Sequence, residues 1–443
     1  MKVTIPDNNI EERKYIINEL LGRILGIDIE FEIDKTNSDY LIRTSKKTII
    51  IKDYFFSLYP ITKSYISQKA IPNSIVDATC SELDEIPIIF GKDEYKETTA
   101  TIICNVDIFA SAFFMLTRWE EFLLGREASG KCSEKELLCV KCGYTRRAIV
   151  NEYICWLEKV LSSNGVVISK NSFLNIKITH DVDRCYLTGV SELAINLFRL
   201  AFRKKQSKKA CRIFIDYIKC RVRGCNPMDS FDDIVSYSNK YNIKNAFYFK
   251  ACQKGELGYT YSFEEPRIQR IVERLFNNKF EIGFHPSENT FLNEEQFKKE
   301  YNRIAGVIGK KSLQGGRSHG LYYSSLMMSF WNKYLKYDSG MGYQFHNGFR
   351  CGICYPFRWF DIATRTTFNL QEIPFVAMDT VALRLRLTPE EAFLDVKETI
   401  DVVKRFNGTI CINWHSNLLN DLSRKKFKKV YFGIVDYAAH LLY

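Results

Sequence analysis

The chain has 443 residues, 46% of them hydrophobic, more than a single growing core accommodates, which predicts two domains. Its opening residues (MKVTIPDNNIEERK) lack the apolar run and small-residue ending of an export signal, and no apolar stretch approaches the roughly 18 residues of a spanning helix, which predicts a cytoplasmic protein. The 14 cysteines then read as reduced thiols used as small apolar residues. The two CxxC pairs, Cys139/Cys142 and Cys351/Cys354, stand in unrelated contexts and do not predict a shared zinc.

Residues 31–60 alternate apolar and polar side chains around Asn, Ser and Lys clusters, the pattern of short strands joined by turns. After the strand-like IPIIF, the segments from Asp107 to Leu124 and from Ile149 to Leu161 repeat apolar residues at three-to-four spacing and predict helices. These elements predict a smaller α+β N-terminal domain over 1–165. From residue 172 to 443 the pattern changes. Apolar runs (LNIKIT, NAFYF, KFEIGF, SLQGG, KYDSGM, LQEIPFVAM, TICINW) alternate with helical periodicity about seven times, which predicts parallel strands with crossover helices. The expected fold class is α/β, with a C-terminal distorted (β/α)7-type barrel; a doubly wound open sheet is the alternative. No GxGxxG or Walker pattern follows any strand, so no nucleotide cofactor is expected.

The net charge of +11 is concentrated. Segment 199–223 (RLAFRKKQSKKACRIFIDYIKCRVR) holds ten Lys/Arg and one Asp, a net of +9, which leaves +2 for the rest of the chain. Leu200, Phe202, Ile213, Ile215 and Ile218 interleave with those charges, as in a helix with one apolar and one basic face. One reading is a solvated face packed on the barrel. The other is contact with an anionic partner, a membrane surface carrying a lipid-linked substrate, with the protein peripheral at the inner membrane. Nucleic acid is not expected, because no recognition fold or aromatic stacking motif accompanies the charge.

In parallel α/β architectures the site forms at the C-terminal ends of the strands. The first of these strands ends in Thr179-His180-Asp181-Val182-Asp183, and the period of two puts both aspartates on one face. Two carboxylates so close repel unless a cation separates their roles. Other strands end in Gly283-Phe284-His285, Gly316-Arg317-Ser318-His319 and Asn413-Trp414-His415. Four of the six histidines therefore fall at strand ends, the placement expected of a divalent metal site.

These residues resemble the motifs of the polysaccharide deacetylases, carbohydrate esterase family 4. The resemblance implies Asp181 as catalytic base, Asp183 and His285 as metal ligands, Arg317 as the guanidinium that holds the base, and His415 as general acid. It also implies zinc as the metal and a saccharide substrate. Asp338 in KYDSGMGY resembles a further motif, and the stretch 337–361 resembles a subgroup found in bacterial polysaccharide-synthesis clusters. Residues RWEEFL and RRAIVNEY resemble the uncharacterised domain fused to that subgroup. One departure stands out. The family's second motif has a histidine four residues after the first, and here that position is Asn289. An amide oxygen is a poorer zinc ligand than imidazole, so either the metal is weakly held, or His319 supplies the third ligand, or the site is inactive.

The expected activity is metal-dependent removal of an N-acetyl group from a sugar in cell-surface polysaccharide biosynthesis. Its rivals are a non-catalytic saccharide-binding or scaffolding member with a degraded metal site, another hydrolase on the same scaffold acting on a cyclic amide or ester, and a basic-helix adaptor.

Overall fold

Alternation of two residues against alternation of three to four divides the chain into sheet and helix as expected for a mixed α/β protein. The computed structural model describes all residues except 127–128, 132, 171–172, 186–189, 204, 223–228, 252–254, 256–260, 420–425 and 443. The described chain forms two units: Met1–Leu174, Tyr323–Val376 and Arg405–Thr409 in the first, Asn175–Tyr322, Ala377–Lys404 and Ile410–Tyr443 in the second.

The first unit contains a mixed six-stranded sheet made of β1 (Lys2–Pro6), β2 (Glu30–Asp34), β3 (Tyr40–Arg43), β4 (Thr48–Ile51), β5 (Gly91–Glu97) and β6 (Thr101–Val106), in the order β2-β1-β3-β4-β6-β5. Along β6 every second residue is buried, so one face packs on the core and the other is partly solvated. Helices α1 (Ile10–Ile17), α2 (Ile108–Thr117) and α3 (Ile149–Ser163) supply the remaining core. All ten residues of α2 are buried, and Asp107 caps it by accepting the Ala110 N–H at 3.0 Å. Sequence pattern did not mark β1, a single run of five residues, or α1, which is nearly uniform around its circumference. The long segment Tyr323–Val376 also belongs to this unit, where Arg350 pairs with Glu121 and the Arg118 guanidinium donates to the Arg350 carbonyl at 2.7 Å. Cys139, Cys351 and Cys354 are buried here as free thiols.

The second unit carries β7 (Asn175–Val182), β8 (Asn245–Phe249), β9 (Glu281–Phe284), β10 (Gly315–Gly316), β11 (Ala377–Met378) and, from Ile410 on, β12 (Thr409–Asn413), in the order β10-β9-β8-β7-β12-β11. All five residues of β8 and of β12 are buried, the mark of strands covered on both faces. Between the strands run α4 (Val190–Phe198), α5 (Ser207–Val222), α6 (Phe231–Lys240), α7 (Pro266–Asn277) and α8 (Glu294–Ile308). The pairs β7/β8, β8/β9, β9/β10 and β11/β12 are parallel. The basic stretch expected as one helix is split: α4 continues through a wide turn at Arg199–Arg203, and α5 begins at Ser207.

Register is what positions the site. Val182 pairs with Phe249, Phe249 with Phe284, and Phe284 with Gly316. The residues that follow these four, Asp183, Lys250, His285 and Arg317, therefore form one row along the C-terminal edge of the sheet. Glycine makes the last step of the row possible: a Cβ at Gly316 would lie 1.8 Å from the Phe284 carbonyl oxygen.

Candidate metal centre

Asp183, His285 and His319 bring one ligand atom each into a common cluster, all within 4.8 Å of one another. Asp183 Oδ1 lies 3.4 Å from His285 Nε2 and 3.6 Å from His319 Nδ1, and the two imidazole nitrogens are 3.2 Å apart. A tetrahedral ion with bonds of roughly 2.0–2.1 Å separates its ligand atoms by roughly 3.3 Å, so the three donors stand at the spacing such an ion imposes. Asp183 Oδ1 is moreover buried without a hydrogen bond of good geometry. The residues fit a divalent metal.

Both imidazoles are oriented from behind. The His285 Nδ1–H faces the Arg317 carbonyl at 2.7 Å, which turns the Nε2 lone pair toward Asp183. On His319 the roles of the nitrogens are reversed, with Nε2 3.8 Å from a Glu288 carboxylate oxygen and Nδ1 toward the cluster. Burial pushes the His319 pKa down to about 3, with the neighbouring His285 adding to it, so its ring is neutral. The loop carrying His285 is fixed by Glu300, which accepts from both the backbone N–H and the hydroxyl of Ser287. Asn289 is exposed and is not among the clustered ligands.

Asp181, two residues before Asp183, is buried and held on both oxygens. Arg317 Nη1 donates to Oδ1 at 2.9 Å and Asn413 Nδ2 to Oδ2 at 2.8 Å. Burial works to raise the Asp181 pKa, but the Arg317 guanidinium, with His285 and His415, outweighs it, and the carboxylate stays ionised. Arg317 has no exposed side-chain surface and also donates to Thr179 Oγ1 at 3.0 Å.

His415 faces the same cluster, its Nε2 4.0 Å from Asp181 Oδ2 and 3.8 Å from Asp183 Oδ2. Asp379 grips it from the other side, accepting the His415 Nδ1–H at 2.7 Å and the backbone N–H at 2.8 Å. Burial opposes the charged ring, but Asp379 and the two cluster aspartates prevail, and the His415 pKa rises to about 9. The ring thus carries a proton on Nε2 directed at the cluster near neutral pH.

The structure therefore brings together all six residues that the sequence singled out, Asp181, Asp183, His285, Arg317, His319 and His415. It adds four others that were missed. Lys250 lies 2.9 Å from Asp183 Oδ1, and its backbone N–H donates to Tyr261 Oη, whose own proton goes to the Val182 carbonyl. Asp379, Asn413 and Glu288 were the others. Lys250 and Asp379 each follow directly on a strand run (NAFYF, FVAM), so inspecting every strand end for any charged group would have found both. Trp414, which precedes His415, is buried and packs at a tilt against Tyr431 with ring centroids 5.4 Å apart, a core role. Asp338 belongs to the first unit, where it is buried.

Residues 1–165 match a family model described as a family of unknown function, DUF7033. Among solved structures, a candidate polysaccharide deacetylase from Mycobacterium smegmatis is similar at a TM-score of 0.38 and 13% identity, over 62% of this chain and 86% of that chain. No curated protein matches.

Proposed function

We propose that the chain is a metal-dependent amide hydrolase that removes an N-acetyl group from a sugar or saccharide intermediate, and that a distorted (β/α)7 barrel accompanies this chemistry. The observation that carries the proposal is the tetrahedral spacing of Asp183, His285 and His319 beside an ionised, immobilised Asp181 and a protonated His415. The resemblance of the strand-end motifs to the polysaccharide deacetylases supplies the saccharide and the acetyl group.

Asp183, His285 and His319 would hold the ion, and zinc suits their nitrogen-and-carboxylate donor set. When bound, it supplies Lewis acidity toward a carbonyl oxygen and acidifies water. Asp181 takes a proton from the attacking water as the new C–O bond forms. Arg317 and Asn413 hold both its oxygens, so the base neither rotates nor protonates prematurely. His415 gives its Nε2 proton to the departing nitrogen as the C–N bond breaks, leaving acetate and a free amine. Asp379 accepts the Nδ1–H and so steadies the charged ring with its Nε2–H toward the departing nitrogen.

A second reading has one observation in its favour. The Lys250 ammonium against Asp183 is the counter-charge that a metal-free saccharide-binding site would use. Metal content of the purified protein and of Asp183→Ala, followed by acetate release from N-acetyl sugars with and without added zinc, separates the two. About one equivalent of metal, lost in the variant, together with metal-dependent acetate release supports the hydrolase. A metal-free protein that releases no acetate with zinc present supports binding alone.

A further inference from the structure

The helical hairpin α4–α5 has an apolar face that no described residue of its own unit covers. Its inner side is closed by Leu193, Ile213 and Tyr217, with Leu197 and Leu200 packed against them. A different set of apolar side chains faces outward: Ile195, Phe198, Phe202, Phe214, Ile215, Ile218 and Val222 are between 45% and 83% exposed. The Phe198 and Phe202 rings pack at a tilt with centroids 4.7 Å apart, and with Phe214 and Ile215 they border an open apolar groove of about 630 Å³. Single exposed apolar residues are ordinary, but seven on one hairpin form a patch that marks an interaction surface.

Charge says what covers it. On an ideal helix Phe214, Ile218, Cys211, Val222 and Ile215 of α5 span an arc of roughly 100°, and Lys208, Lys219 and Arg212 occupy roughly the next 60°. These three bases, with Arg199 and Lys205, are exposed. The segment's net charge of +9 contrasts with +2 for all the rest of the chain. A second copy would bring two such basic faces together, and a nucleic acid would leave the phenylalanines unmatched. An apolar sector buried in acyl chains beside a basic flank at the phosphate level is the arrangement of an interfacial helix. Among the described residues no helix is long and apolar enough to cross a membrane, so the hairpin would lie in the surface.

We infer that α4–α5 docks the protein on an anionic phospholipid bilayer, with Phe198, Phe202, Phe214, Ile215 and Ile218 inserted and Lys208, Arg212 and Lys219 against the headgroups. This docking does not rest on the hydrolase assignment.

The test is co-sedimentation of the full chain with vesicles of phosphatidylcholine alone and of phosphatidylcholine mixed with phosphatidylglycerol, at low and high salt. The protein is expected to pellet with the anionic vesicles and to be released by salt. The charge reversal Lys208→Glu/Arg212→Glu/Lys219→Glu is expected to weaken partitioning by at least about 100-fold, at about fivefold for each base lost. Phe202→Asp/Phe214→Asp is expected to abolish pelleting while leaving metal binding unchanged. If that pair fails to fold by circular dichroism, the reversal of exposed bases decides alone. Absence of pelleting, equal binding to neutral vesicles, or a dimer in sedimentation velocity that Phe202→Asp/Phe214→Asp dissociates would each overturn the inference, the last in favour of self-association.

Discussion

His319→Ala tests most directly whether His319, and not Asn289, serves as the third ligand of the proposed metal site. Three protein atoms converge at 3.2–3.6 Å in the structure, and His319 Nδ1 is one of them. Four-ligand zinc sites bind with about 10–16 kcal/mol, or about 2.5–4 kcal/mol per ligand. Deleting one ligand should therefore weaken zinc by about 10²–10³ in Kd. The assay is competition for zinc between metal-stripped protein and a chromophoric chelator, with the wild type and Asn289→Ala measured in parallel. Asn289→Ala should leave the affinity unchanged, because that side chain is exposed and outside the cluster. A thermal melt provides an independent reading: zinc at 100 times its Kd should add about 2.7 kcal/mol of stability to wild type, and the variant should lose this gain at the same zinc concentration. If His319→Ala binds within about threefold of wild type, or if Asn289→Ala is the variant that fails, the ligand assignment is wrong.

Asp379→Asn should lower kcat on an N-acetyl sugar by about 10²–10⁴ without changing metal content, because the amide lacks the charge that keeps the His415 ring protonated and oriented; a loss under about fivefold would remove Asp379 from the mechanism. Arg317→Met should cost about 3–5 kcal/mol in denaturant unfolding, since it strands the buried Asp181 carboxylate. A change below about 1 kcal/mol would show that the pair is not held as described. His180 is fully buried, stacked on Phe247 and bonded to the Trp414 carbonyl at 2.7 Å. Burial lowers its pKa to about 4, with the Trp414 carbonyl acting against the shift. The native ring therefore stays neutral while the unfolded ring takes up a proton, so stability is full above pH 6.5 and falls toward pH 4 by about 3 kcal/mol. In metal-free protein His180→Phe should flatten that acid limb relative to wild type; an unchanged slope would show that His180 is already protonated in the fold.

The strand-end chemistry was legible because parallel strands bury continuous apolar runs and leave polar groups only where the chain exits the sheet. A run such as NIKITHDV or EIGFH thus announces both the strand and its functional end. The basic, apolar-interleaved character of 199–223 was equally plain, because helical periodicity and charge are local properties. By itself, the sequence determined which polar side chains stand at strand ends, the α/β alternation and the concentration of charge.

It did not determine register, and register selects the partners. Pairing Val182 with Phe249, Phe249 with Phe284, and Phe284 with Gly316 lines up Asp183, Lys250, His285 and Arg317; a shift by one residue would turn each side chain to the opposite face. Nothing in its local sequence marks Lys250, whose backbone Tyr261 holds and whose ammonium meets Asp183. Asp379 lies 36 residues from His415, and nothing local relates them. Tertiary structure also drew Tyr323–Val376 into the first unit, although its sequence continues the strand-helix alternation. The placement of His319 inside the cluster and of Asn289 outside it is likewise a matter of tertiary structure. Ligand geometry is a relation among atoms distant in sequence, and only the packing that brings their strands side by side sets the distances between them.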